Sequence, residues 1–206
     1  LTADRQVSKY LVRHSGVDKV SFTGSTLAGK RIASICGERI ARVTLELGGK
    51  SAGIVLDDYD LDLVAQSLSK SATYLTGQAC SSLTRIIISK HRQSQLLEAM
   101  AHHFGQIKVG DPFDAQTGMG PLATAKHRER VEGFIAIGCD GGGKLVTGGK
   151  RPQHTPRGHF VEPTVFGNIS NNSVIAREEI FGPVLAVIPV ENEQAAVLTA
   201  NDSVYG

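Results

Sequence analysis

With 206 residues, 41% apolar and 20% charged, and 23 glycines, the chain has the composition of an α/β protein with many turns, long enough for one sizeable domain or parts of two. Its net charge of +2 is too small to imply a nucleic acid or a membrane surface as partner, and no apolar run approaches the roughly 18 residues of a spanning helix. Three cysteines, Cys36, Cys80 and Cys139, without a C-x-x-C spacing argue against a disulfide framework and against zinc, so free thiols, no metal site and a cytoplasmic, reducing compartment are expected. No secretory signal is visible, and a chain opening on Leu1 reads as a processed or cut piece.

Residues 1–19 are mixed and polar and carry no assigned element. Residues 20–23 read as a short strand, and Gly24-Ser25-Thr26 turns into a helix reaching about Cys36, with Ile32, Ile35 and Cys36 on one face and Gly37 as its stop. A strand, a turn of small residues and a helix expose backbone N–H groups to a phosphate. Gly24 permits close approach, Ser25 or Thr26 adds a hydroxyl, and Gly29 leaves room for a ligand over the first turn. An ordinary capped helix reads at least as well from this pattern, because no G-x-G-x-x-G is present. Residues 42–46 form the next strand; if Val43 and Leu45 face a core, Glu46 emerges on the other side at the carboxyl end, where ligand sites of open α/β sheets lie. A solvated acid capping a turn is the plain alternative.

Residues 52–56 are a buried-strand candidate, and Asp57, Asp58 and Asp60 can cap the helix that follows. Leu61, Val64, Ala65, Leu68, Ala72 and Leu75 make its apolar stripe. Then comes Gly77-Gln78-Ala79-Cys80-Ser81, a thiol in a connection and not in a periodic run, followed by the continuous apolar strand 84–88. A helix over 93–104 buries Leu96, Leu97, Met100 and Phe104; His91, His102 and His103 read as surface residues without metal-ligand spacing. A charged helix spans 124–137 with Val131, Phe134 and Ile135 inward, and Cys139 just past it reads as a small apolar filler. Residues 144–147 and 160–166 are short strands. Glu178-Glu179-Ile180-Phe181-Gly182-Pro183 can present a carboxylate and a ring to one ligand, or hold a turn with one packed Phe. A buried strand over 184–190 and a helix over 191–200 close the chain.

Taken together and in this order, Phe22-Thr23-Gly24-Ser25-Thr26, Glu46-Leu47-Gly48-Gly49-Lys50-Ser51, Gly77-Gln78-Ala79-Cys80, Gly118-Met119-Gly120-Pro121-Leu122, Glu178-Glu179-Ile180-Phe181-Gly182-Pro183 and the closing Asn201 to Gly206 resemble the aldehyde dehydrogenase superfamily. The resemblance implies an α/β fold in which residues 1–47 are the end of a Rossmann-type nucleotide-binding domain and 48–206 most of a catalytic domain. It implies NAD or NADP as cofactor, an aldehyde as substrate, and a homo-oligomer, dimer or tetramer, as the complete protein. Cys80 would attack the aldehyde to give a thiohemiacetal, hydride would leave for the nicotinamide, and Glu46 would activate the water that hydrolyses the resulting thioester. Gly24 and Ser25 fall at the cofactor diphosphate, with Gly29 in the same helix; Glu179 falls at the nicotinamide-side ribose and Phe181 against the nicotinamide. Lys50 matches the pattern and reads as structural. Thr76 departs from it, since the family usually has Asn there, and little effect is expected.

The family's pattern begins well upstream of Leu1 and continues past Gly206, so the chain reads as a middle fragment, expected to be inactive by itself. A coenzyme A-acylating relative is disfavoured by Glu46, which such an enzyme does not need. A non-catalytic interaction fragment is the reading from another class, and a Cys/His hydrolase is disfavoured because no histidine has a spacing that singles it out beside Cys80.

Overall fold

The computed structural model describes residues 4–155 and 157–205; Gly206, the last residue of the closing stretch, lies outside them. Backbone contacts divide the chain into two compact units, Leu1–Gly48 and Gly49–Gly206. The first holds α1 (Arg5–Arg13), β1 (Lys19–Gly24), α2 (Thr26–Glu38) and β2 (Arg42–Leu47). β1 and β2 pair in parallel, from Lys19 opposite Arg42 to Gly24 opposite Leu47, with α2 as the crossover. Ser25 caps α2, its hydroxyl oxygen accepting from the Ala28 N–H at 3.3 Å. Ile32 and Ile35 are half-buried and Cys36 is buried, as the spacing predicts. Gly37 is not the stop: α2 runs one residue further and turns at Arg39.

The sequence reading assigned nothing where α1 lies. Asp4 starts it by accepting from the N–H groups of Gln6 and Val7, both at 2.9 Å. Its apolar stripe, Val7, Tyr10 and Leu11, remains exposed. A short stripe among charges did not stand out as a pattern.

The second unit is a five-stranded sheet in the order β3 (Ser51–Val55), β4 (Leu83–Ser89), β7 (Val184–Val190), β6 (Thr164–Gly167) and β5 (Lys144–Thr147). All neighbours are parallel except the edge strand β5. Helices cover both faces, which is why its central strands read as unbroken apolar runs. Ile86, Ile88, Leu185 and Val187 face α3 (Leu61–Thr73) and α4 (Gln93–Gly105), packing on Leu61, Ala65, Leu68, Leu96, Met100 and Phe104. Ile87, Ala186 and Ile188 face the other way, toward Val131 and Ile135 of α5 (Ala125–Asp140), Ile175 of α6 (Val174–Arg177) and Ala196 of α7 (Glu193–Asn201). Each fully buried isoleucine of β4 contributes about 1.5–3 kcal/mol.

Four sequence expectations need correction. β3 is an edge strand that ends at Val55, so Ile54 is partly exposed and not buried, and Leu56, just past its end, is partly exposed too. The strand expected over 160–166 is only Thr164–Gly167. Leu75 leaves the α3 stripe, because the helix ends at Thr73 and Leu75 turns left-handed and outward. Cys139 is inside the last turn of α5 and exposed, not a filler past its end.

Candidate active site

In the second unit, Cys80 sits in the connection between α3 and β4, and its thiol is free and exposed. The backbone leading to it is unusual. Leu75, Thr76 and Gly77 follow one another with φ of 49°, 59° and 69°. Glycine visits this region freely, whereas Leu and Thr each pay about 1–3 kcal/mol there, so the surroundings must hold them. The Thr76 hydroxyl donates to the Gly120 carbonyl at 3.2 Å. Gln78 donates to the Leu75 carbonyl and accepts from the Ala123 N–H, both at 3.0 Å. Gln78, next to the nucleophile candidate in sequence, therefore braces the loop. Thr76, the position that departs from the family pattern, carries one of the bonds that fix it.

Two glycines show why these stretches belong together. A Cβ on Gly77 would lie 2.4 Å from the Gly182 carbonyl carbon, so the loop before Cys80 presses directly on the Gly182-Pro183 backbone. A Cβ on Gly49 would lie 3.4 Å from the Cys80 carbonyl oxygen. The Gly49 N–H donates to Glu179 Oε1 at 3.3 Å. Cys80, Gly49, Glu179 and Gly182 thus meet in one place, although the sequence scatters them over most of the unit. Phe181 has φ +62°, an outlier for a bulky residue, and its ring is partly exposed. It borders an open cavity of about 700 Å³ that Tyr74, Thr76, Gln78, Met119 and Pro121 also line.

Lys50, next in the chain, is 3% exposed, and its amine has no hydrogen-bond partner among the described residues. Burial first, and the Arg85 guanidinium second, hold the amine down to about 7 against the pull of Glu179 and Glu178. Arg85, itself buried in β4, donates to the carbonyls of Lys50, Thr199 and Ala200 and to Asn171 Oδ1 at 2.9–3.1 Å. It ties the start of β3 to the end of α7.

In the first unit, Glu46 and the Gly24-Ser25 turn share the carboxyl end of the strand pair, where Thr23 lies opposite Glu46 and Gly24 opposite Leu47. Glu46 is exposed. Gly29 differs from its sequence reading: a Cβ there would meet Leu47 Cδ2 at 2.5 Å. The space the missing side chain leaves is filled by Leu47, so Gly29 lets α2 lie close on β2 and does not hold a place for a ligand.

His127 and Arg130 of α5 were not singled out by sequence reasoning, which read that stretch only as a charged helix with Val131, Phe134 and Ile135 inward. They bond the carbonyls of Phe181 and Glu179, each at 2.6 Å. No local pattern marks such long-range bonds to backbone.

This is an α/β protein whose glycine-rich turns gather a free thiol, a carboxylate and a strained aromatic residue at one place. The aldehyde dehydrogenase family pattern matches residues 1–206, and the chain belongs to that family. It is 51% identical over 203 residues to the geranial dehydrogenase of Castellaniella defragrans, and 42% identical over 202 residues to the betaine aldehyde dehydrogenase of Brucella ovis. These alignments take in 98% and 97% of this chain but 42% of each relative. Aldehyde dehydrogenase C of Pseudomonas syringae, solved as a cysteine-to-alanine mutant with NAD+ and octanal, superposes with a TM-score of 0.94 at 39% identity, over 97% of this chain and 41% of that one. A Mycobacterium tuberculosis aldehyde dehydrogenase complexed with NAD+ gives 0.93 at 41% identity, over 98% and 42%. The chain thus spans about two fifths of the length of these relatives.

Proposed function

We propose that this chain is part of an NAD-dependent aldehyde dehydrogenase that converts an aldehyde to a carboxylic acid through a thioester on Cys80. The observation that carries the reading is the braced left-handed loop that holds Cys80 exposed beside Gly49, Glu179 and Gly182. Strain of this kind collects where a side chain must be presented at a set position. The relatives solved with NAD+ support NAD as the cofactor.

The residues present fit that cofactor. Gly24 and Ser25 stand at the N-terminus of α2, where backbone N–H groups suit a diphosphate. Gly29 assists indirectly, by seating that helix on β2. Glu179 offers a carboxylate to a ribose, and Phe181 a partly exposed ring to the nicotinamide face. The nicotinamide, when bound, supplies the hydride acceptor.

The Cys80 thiolate adds to the aldehyde carbonyl, forming the C–S bond of a thiohemiacetal. The loop bonds of Thr76 and Gln78 fix where that sulfur stands. Once the carbon has given up its hydride it is held as a thioester. Glu46 then takes a proton from water as the water adds to the thioester carbonyl, and the acid leaves with Cys80 restored. In this reading residues 1–47 close a nucleotide-binding domain and 48–206 form most of a catalytic domain. A reducing, cytoplasmic setting and a homo-oligomer are part of the same proposal.

The test is single-turnover reduction of NAD+ by the full-length enzyme. Cys80→Ser should lose the burst of reduced cofactor entirely and still bind NAD+. A Cys80→Ser variant that kept the burst would end the proposal.

A further inference from the structure

We propose that the first two turns of α5 form a clamp, with His127, Arg130 and Val131 as positioning residues that hold Glu179 and Phe181 in place. The clamp rests on the reading of those two residues as cofactor contacts, and goes beyond it by naming what fixes them. His127, Arg130 and Val131 stand at i, i+3 and i+4 and so share one face of the helix. Each touches a different part of the 179–182 segment. Arg130 Nη2 donates to the Glu179 carbonyl at 2.6 Å. His127 Nε2 lies 2.6 Å from the Phe181 carbonyl, and because a carbonyl only accepts, the ring hydrogen must be on that nitrogen. Val131 fills the space where Gly182 lacks a side chain; a Cβ there would lie 2.7 Å from Val131 Cγ2.

The clamp is itself fixed. The Thr124 hydroxyl caps α5 by accepting from the His127 N–H at 3.1 Å. The Arg130 guanidinium lies 4.6 Å over the Phe134 ring. The His127 ring meets the Phe181 ring edge-on, centroids 6.0 Å apart at 67°.

What it holds needs holding. A Phe at φ +62° persists only where its neighbours over-determine it. Two carbonyls, one on each side of Ile180, are gripped by donors from one rigid helix. The residue after Phe181 is wedged by Val131, and the Gly182 backbone is the surface on which Gly77 of the nucleophile loop rests. The clamp therefore registers the cofactor segment against the loop that carries Cys80.

The test uses His127→Ala, Arg130→Met and the double variant of the full-length enzyme. The first readout is hydrogen exchange of the 179–182 amides without cofactor, which should quicken in each variant. The second is NAD+ affinity, which should weaken roughly five- to tenfold per donor lost, the equivalent of one hydrogen bond. His127→Gln keeps an N–H at the end of the side chain and should restore both. Unchanged exchange in both single variants would overturn the clamp. So would a lowered melting temperature with unchanged exchange and affinity, the sign of a merely structural role. Phe181→Ala and Glu179→Gln separate the two claims. If they leave NAD+ affinity unchanged, the cofactor reading of this segment fails, and exchange at 179–182 alone then decides the clamp.

Discussion

Cys80 and Cys139 are both exposed thiols, so exposure does not distinguish the proposed nucleophile, and the apolar setting expected of Cys139 is absent. Location does distinguish it. Saturating aldehyde should protect Cys80 of the full-length enzyme from iodoacetamide and leave labelling of Cys139 unchanged. Cys36, a buried residue of α2, should label only on unfolding. Peptide mapping that found Cys139 protected, or Cys80 unprotected, would contradict the assignment. Lys50 gives the second expectation at this scale. Its amine is ordinarily protonated up to about 10.5 but is held near 7 in the fold, chiefly by burial. Between these values the unfolded chain binds more protons, so stability rises with pH across the window, and the penalty of the buried charge is complete below it. Lys50→Met should therefore stabilise the protein most at about pH 6 and progressively less toward about pH 10. Urea denaturation at the two ends of that range checks this, and an equal gain at both would rule it out.

At the scale of elements, the loop before Cys80 makes the sharpest claim. Gly77 has both a positive φ and backbone of Gly182 where a Cβ would go. Gly77→Ala should lower the melting temperature and slow acylation by about 10²-fold through misplacement of the thiol. Gly105→Ala, where a Cβ meets open space, should do neither. Equal behaviour of the two variants would show that the loop is not held as described. The contrast also shows what could be read from the chain. The stripes of α3 and α4 and the run of β4 were legible because burial imposes a period or a continuous apolar stretch. α2 was legible for the same reason, β2 only from its alternation, since Val43 is exposed and does not face a core, and the cap at Asp60 follows from residue type. Leu75 was misread because a period continues in sequence after the backbone has left the helix. Gly29 was misread because a glycine beside a phosphate-type turn serves packing as readily as a ligand, and only Leu47 decides between them. The meeting of Gly77 with Gly182, and of α5 with Glu179 and Phe181, depends on tertiary contacts between distant stretches and leaves no local signal.

At the scale of the whole molecule, the chain divides into two compact units, with Glu46 in the first and Cys80 in the second. Among the described residues no helix is long and apolar enough to cross a membrane. The first unit carries Gly24 and Glu46 at the carboxyl ends of its parallel strands, where α/β sheets offer binding sites; in the second unit Gly49, Cys80 and Gly182 instead precede β3, β4 and β7, at the amino ends of parallel strands. The central claim of the proposal is that a thioester on Cys80 is hydrolysed by water that Glu46 activates. Glu46→Gln in the full-length enzyme measures this most directly. One equivalent of reduced cofactor per site should appear as a burst, followed by turnover slowed about 10²–10⁴-fold, because an amide cannot take the proton from water. Intact mass should show the acyl group held on Cys80, and a small added thiol should partly restore turnover by clearing it. Unchanged steady-state hydrolysis by Glu46→Gln, with no acyl adduct on Cys80, would contradict the account.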